Sequence, residues 1–497
     1  MNLLQKLKDS LVGGLGEGRG DHSRGIRWGN LLLPESEAHN HFLVAGTTGS
    51  GKTTFLRLMM QSIFSDFEQR GCRAVVFDAK EDMFPILAGM VDPKFITTLN
   101  PFDERGAAWD LASDLDEPRV IHEFVSTMIP EAGDANPYFT DAARHLMNGV
   151  MLNYYLRRMA YTLGDVFRPL RSIRQLKALL RQLAVTESLV ETYLRDKRLA
   201  LNVISSIATK IQPFEPIAAC WEHAKERISL KHWLNENRIL ILGNSEISRH
   251  SIDAINRCMF KRIAGLTLHL PDCDQRKIWF ILDELTDAGR LDGLIPLAKK
   301  GRSKGASLLL AFQSVSGLRS ERLYGSQGTD ELMGQIGNRF VGRLECVPTA
   351  EYFSQLIGDQ ERWEMSKSYT SAREESSTTS YSKQIRRTVL PSELMDLPIC
   401  SVANGLHGIG ISRVAGVYHS HIDGHSLFHR DLLPLDRSVR NEVPRAADTQ
   451  ILYPWNAEQC ARFGVPFGPA RRPNTADSAS TPRSVPPDLL RGIFDDP

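Results

Sequence analysis

Short apolar runs alternate with helix-period stretches along most of this chain. His41-Phe-Leu-Val-Ala45 is a strand-sized run, and a Gly/Thr-rich loop covers 46–53. From Thr54 to about Phe67, Leu56, Met59, Met60 and Ile63 recur at helical spacing, which predicts a helix with those four on its inner side. Arg73-Ala-Val-Val-Phe77 predicts a second buried strand ending at Asp78. Parallel strands joined by a helical crossover need cover on both faces of their sheet. From about 105 to 235 the pattern is helical. Strands resume at Ile239–Leu242, Ile278–Leu282, Ser307–Phe312 and Arg339–Leu344. The expectation is one α/β domain with a mostly parallel sheet, divided into 31–104 and 236–434 by an all-α insertion at 105–235.

Outside that frame the pattern weakens. Residues 13–30 are rich in Gly and charge and read as a linker, behind a start in which Leu3, Leu4, Leu7 and Leu11 share one helical face. That start is too short and polar for a signal peptide. It suits a docking helix for a protein partner, or contact with a membrane surface. No run approaches the roughly 18 apolar residues that a membrane-spanning helix needs. Residues 365–388 read as an exposed polar loop, and from 435 to 497 Pro, Arg, Asp and Ser predict a tail without fixed structure.

Charge and cysteine content narrow the classes. Lys and Arg number 60 against 59 Asp and Glu, so no overall basic excess announces nucleic acid. Seven scattered cysteines, never in a CxxC pair, argue against a disulfide framework and a zinc site, and suit a reducing cytosol.

Gly46-Thr-Thr-Gly-Ser-Gly-Lys-Thr53 fits the G-x-x-x-x-G-K-[ST] pattern, after a strand and at the opening of a helix. The chemistry needs that context. Glycines let successive backbone N–H groups turn inward around an anion, and the helix terminus adds partial positive charge. Gly46, Thr47, Thr48, Gly49, Ser50, Gly51, Lys52, Thr53 and Thr54 are the candidate phosphate-binding set, with Lys52 on the β- and γ-phosphates of ATP and Thr53 on Mg²⁺. Lys277-Ile-Trp-Phe-Ile-Leu-Asp-Glu284 is a buried strand ending in two acids. Asp283 is the second candidate for the Mg²⁺ shell, and Glu284 the candidate base for the attacking water. Alone, such an acid pair reads equally as a surface turn; beside a complete phosphate loop it reads as a hydrolytic site.

Two further residues follow. Gln313 ends the apolar run beginning at Ser307, which suits a γ-phosphate sensor, or a side chain that only satisfies a loop backbone. Arg302 lies in Leu297-Ala-Lys-Lys-Gly-Arg-Ser-Lys-Gly-Ala306, where a neighbouring subunit could present it to a phosphate. The plain alternative is a solvated arginine in a basic cluster.

With Asn100-Pro-Phe-Asp-Glu-Arg-Gly-Ala-Ala-Trp-Asp110, Asp78-Ala-Lys80, Phe139-Thr-Asp-Ala-Ala-Arg144, Leu282-Asp-Glu-Leu285, Lys300-Gly-Arg-Ser-Lys-Gly-Ala306 and Pro391-Ser-Glu-Leu-Met-Asp-Leu397 added to the phosphate loop, the chain resembles the coupling proteins of conjugative type IV secretion systems from about 30 to 415. The resemblance implies a RecA-like P-loop ATPase domain carrying an all-α domain and assembled as a hexamer around DNA. It also implies Gln313 as γ-phosphate sensor, Arg302 as trans-acting finger, and a relaxase–DNA complex and secretion channel as partners. Members usually carry an N-terminal transmembrane hairpin, and this sequence shows none. The expectation is therefore a cytoplasmic protein, or one held peripherally at the inner membrane by its partners.

Between 155 and 198, ten Lys and Arg face four acids, and Arg171, Arg174, Lys177 and Arg181 recur at helical spacing. Such a face binds phosphates by counterion release without reading sequence; it is equally an ordinary solvated face. Lys299, Lys300, Arg302 and Lys304 form a second cluster. Nothing resembles a helix-turn-helix or zinc finger. Two other readings fit the motifs: a DNA translocase of the FtsK/HerA type outside secretion, and a nucleotide-switched platform for docking proteins.

Overall fold

The computed structural model describes residues 25–131, 137–371 and 375–468. At its centre is a nine-stranded sheet. Its strands, in chain order, are β1 (Phe42–Ala45), β2 (Cys72–Phe77), β3 (Ile96–Thr98), β4 (Ile239–Leu242), β5 (Lys277–Leu282), β6 (Ala306–Phe312), β7 (Asn338–Val341), β8 (Leu406–Ser412) and β9 (Gly416–Ile422). Their spatial order is β9-β8-β7-β1-β6-β5-β2-β4-β3. From β7 through β3 every pairing is parallel; β8 and β9 add an antiparallel edge.

The central strands are apolar throughout because both faces are covered. In β6, Leu308, Leu310 and Phe312 enter one core with the insertion helices, while Leu309 and Ala311 enter the other with helix α1 (Lys52–Ile63). β1 divides likewise, with Leu43 and Ala45 on the first face and Phe42 and Val44 on the second. On α1, Leu56, Met59, Met60 and Ile63 are all buried, as their spacing predicts.

Between Leu111 and Trp233 the described residues form helices and their turns, apart from a short strand at Arg227–Ile228. That strand pairs in parallel with Ala108–Trp109 where the chain enters and leaves the insertion, forming a neck. Asp114 locks the neck. Its buried carboxylate accepts from Trp109 Nε1 at 2.6 Å, Ser229 Oγ at 2.7 Å and Leu230 N at 2.7 Å.

Two sequence expectations need correction. Residues 365–388 are not a loop: Asp359–Ser371 and Glu375–Arg387 form an antiparallel ribbon with Trp363, Met365, Tyr381 and Ile385 exposed along it. Ser, Thr and Tyr make a strand that periodicity in apolar residues does not reveal. Nor does order end at 435. Residues 433–468 form a strap that runs from the α/β domain onto the insertion. Arg57 holds the carbonyl of Leu433, Arg105 those of Arg440 and Asn441, and buried Arg445 those of Pro101 and Gly106. Beyond the neck, Trp455 Nε1 donates to Asp165 at 2.9 Å, and its ring stacks on Phe463. A few aromatic anchors and arginine–carbonyl bonds order a segment whose composition predicts none. The stretch before Gly25 and the chain after Gly468 lie outside the described residues.

Candidate functional site

β1, β6 and β5 lie side by side, so the phosphate loop and the acid pair are separated by one strand. β1 ends in the loop, β5 in Asp283 and Glu284, and β6 between them in Gln313. All three groups therefore meet at the carboxyl edge of the parallel strands, where open α/β sheets take their ligands.

The loop is held from three sides. Gly46 N donates to Phe312 O at 3.2 Å, Thr47 N to Arg343 O at 2.7 Å, and Cys400 N to Gly49 O at 3.0 Å. Gly49 and Gly51 have φ of 78° and 91°, a region costly to any residue with a Cβ. At Gly51 a Cβ would also come within 2.4 Å of Leu406. Ser50 Oγ braces the turn through Thr47 O at 2.7 Å. Lys52 is buried, with Nζ 2.8 Å from Gly46 O and 3.2 Å from Thr47 O. Burial lowers its pKa, against the opposing pull of Glu284.

Across the cleft, Thr53 Oγ1 lies 3.2 Å and 3.4 Å from the two oxygens of Asp283. Asp283 is only 2% exposed, and that burial pushes its carboxyl upward, with Lys80 and Thr53 pulling the other way. A hydroxyl and a buried carboxylate with unused lone pairs form a hard-oxygen set, which fits Mg²⁺. Glu284 is fixed separately: Thr286 Oγ1 donates to it at 2.7 Å and Gln313 Nε2 at 3.1 Å. Gln313 Oε1 in turn faces Thr48 Oγ1 at 3.5 Å, so it spans the gap between the acids and the loop.

Lys80 and Asp78 belong to this edge, although sequence reasoning gave them no role. Lys80 Nζ lies 3.2 Å from Thr53 Oγ1 and 3.9 Å from Asp283. Asp78 accepts from the amides of Asp82 and Met83 at 3.1 Å and 3.0 Å, shaping the turn that presents Lys80. Burial raises its pKa to about 7. The available signal was positional: Asp-Ala-Lys follows a buried strand, as Asp-Glu does.

Arg302 does not join this group. It is exposed, in a turn that precedes β6, whereas Gln313 follows that strand. β6 has seven residues, so roughly 20 Å of extended chain separates the two ends. Arg302 instead borders an open cleft of about 1000 Å³ at the amino edge, with Lys277, Lys300 and Lys304.

The basic stripe of the insertion is largely spent on internal contacts. Arg168 makes two bonds of 2.6 Å to Glu222, Arg171 pairs with Glu215 at 3.4 Å, and Arg174 holds strap carbonyls. Arg195, Lys197 and Arg198 remain exposed near the turn before helix Lys197–Ile211. Among the described residues no group of three or more His, Cys, Asp or Glu side chains could hold a metal, and no helix is long and apolar enough to cross a membrane. Cys72, Cys220, Cys258 and Cys460 are buried, whereas Cys273, Cys346 and Cys400 are partly exposed.

A strand–loop–helix phosphate cradle, faced by an acid pair two strands away, defines a P-loop nucleotide-binding protein. Residues 26–409 match the family described as type IV secretion-system coupling protein DNA-binding domain, and the chain belongs to that family. The coupling protein TraD of Escherichia coli K12 is 25% identical over 358 residues, covering 69% of this chain. The match takes in 47% of TraD, so this chain spans about half of that relative. Among solved structures, the unbound conjugative coupling protein TrwB matches with a TM-score of 0.65 at 18% identity, covering 89% of this chain and 94% of that one. TrwB in complex with ADP and Mg²⁺ matches at 0.61, also at 18% identity, covering 85% and 92%. The RecA-like fold expected from the sequence is the one found.

Proposed function

We propose that this chain is a DNA-dependent ATPase that works as a ring, most simply a homohexamer, and delivers relaxase-bound single-stranded DNA to a type IV secretion channel. The observation that carries this reading is the convergence of Lys52, Thr53, Asp283, Glu284 and Gln313 on one sheet edge. The family's DNA-binding description and the TrwB complexes with nucleotides support it.

The amides of Gly51 to Thr54, at the opening of α1, and the Lys52 ammonium bind the β- and γ-phosphates of ATP. Thr53 and Asp283 hold Mg²⁺, which when bound neutralises charge on the phosphate oxygens. Glu284 orients the attacking water and takes its proton, and the Gln313 amide keeps that carboxylate aimed. A buried acid fixed by two donors loses little orientation during the reaction. Arg302 serves the site of a neighbouring copy, because its own site lies at the opposite edge of the sheet. DNA is held by exposed cations such as Arg195, Lys197 and Arg198, with affinity that falls steeply with salt and depends little on sequence. On this reading the protein works on the cytoplasmic side, brought to the inner membrane by its partners.

The test is ATP turnover with and without single- and double-stranded DNA, comparing wild type, Lys52→Ala and Glu284→Gln. DNA-stimulated turnover lost in both variants, with nucleotide binding kept by Glu284→Gln, is the expected result. A protein that does not bind Mg·ATP in any oligomeric state would overturn the reading.

A further inference from the structure

The foot of β1 carries a histidine that no step above uses. His41 is 4% exposed, and its two ring nitrogens reach different elements. Nε2 lies 2.9 Å from the carbonyl of Ala298, in helix Leu294–Lys300. Nδ1 lies 3.2 Å from the amide nitrogen of Leu308 in β6. An amide can only donate, so Nδ1 accepts. The single proton of a neutral imidazole then sits on Nε2 and is donated to Ala298. Burial holds the ring neutral, lowering its pKa to about 4; the Ala298 bond opposes this, and the charges of Arg302 and Arg413 add to it.

Ala298 precedes Arg302 in the chain and Leu308 follows it. One ring therefore ties both flanks of the segment that presents the guanidinium. The His41 carbonyl also accepts from Asn338 N at 3.3 Å, which fastens the residue to β7. From His41 the strand runs on to Ala45 and the phosphate loop. The same short strand thus has the chain's own nucleotide site at one end and the seat of Arg302 at the other.

We propose that His41 is a positioning residue for Arg302, fixing the turn that carries this guanidinium so that it is set for the site of the next copy. The inference rests on the reading of Arg302 as acting in trans. A purely structural histidine would harm the site of its own chain; a positioning histidine harms its neighbour's.

Mixed assemblies separate the two. His41→Ala alone should lose turnover by about 10- to 100-fold, the scale of a misplaced catalytic group, with its affinity for Mg·ATP unchanged. Lys52→Ala alone should be inactive but carries an intact Arg302. Mixed in equal amounts, they should regain turnover, since about a quarter of the interfaces in a closed ring then join an intact site to a well-held arginine. Arg302→Ala mixed with Lys52→Ala is the control. If the control recovers and the His41→Ala mixture does not, the positioning role is wrong and the trans reading stands. If neither mixture recovers, the trans reading fails and takes the inference with it. Full turnover by His41→Ala alone also overturns the role. His41→Gln, whose amide can still donate to Ala298, should retain more turnover than His41→Ala, and it carries the same mixing test should the alanine variant not fold.

Discussion

The two edges of the central sheet are built differently. At the carboxyl edge, side chains from α1, β5 and β6 converge within hydrogen-bond distance: Thr53 on Asp283, and Gln313 on Glu284. At the amino edge, Arg302 borders an open cleft, and its segment is anchored by a histidine rather than aimed at anything in the chain. One edge gathers the candidate site residues; the other carries Arg302 among lysines on an open cleft. In the ring proposed above, one copy's amino edge would meet the next copy's carboxyl edge.

The largest expected effect breaks that comparison at its weaker end. Arg302→Ala should lower turnover of the assembled ring by about 10³-fold or more, the scale of a trans-acting arginine, and should make no difference in dilute monomer. Turnover measured across protein concentration checks this, with the two proteins converging when unassembled. Glu284→Gln should cost about 10²- to 10⁴-fold at every concentration, because loss of the general base acts within one chain. Filter binding of labelled ATP should show its affinity retained.

A third variant separates folding from chemistry. Trp455 is buried on the strap, far in sequence from both edges. Trp455→Ala should lower unfolding stability by about 3 kcal/mol, read from the denaturant midpoint. Trp363 on the ribbon is 71% exposed, and Trp363→Ser should shift that midpoint by less than about 0.5 kcal/mol.

A separate effect concerns pH at the carboxyl edge. Asp78 has a folded-state pKa of about 7, above its ordinary value of 3.8. The folded protein therefore holds that proton more tightly than the unfolded chain, so folding stability is lost as pH rises from about 4 to 7. Asp78→Asn removes this dependence. Relative to wild type it should gain up to about 4 kcal/mol between pH 4 and pH 8, measured as paired denaturant midpoints.

The nucleotide half of the molecule is legible in sequence because its physics is local. A buried parallel strand must be an unbroken apolar run, and Ile239–Leu242 is recovered residue for residue. The phosphate loop needs glycine where φ is positive, and the pattern states that need directly. Gln313 could be placed because it ends such a run. The strap was not legible, since its order comes from distant partners. Arg445 reaches Pro101 and Gly106, and Trp455 reaches Asp165. The internal partners of the basic stripe were hidden for a related reason. Spacing places Arg171 and Arg174 on a helix face, but Glu215 and the carbonyls of the strap take them up. Lys80 was overlooked because its role depends on β2 lying beside β5, a neighbour relation that no single segment contains.

The strap has a mechanical consequence. An insertion joined to its host by an entering and a leaving strand can swing on that pair as a door does on one hinge. Here a third length of backbone crosses the same junction, pinned by Arg445 on one side and Trp455 on the other. The helical domain is therefore braced like a bracket, and a shift of the sheet would be carried to it as by a rigid arm.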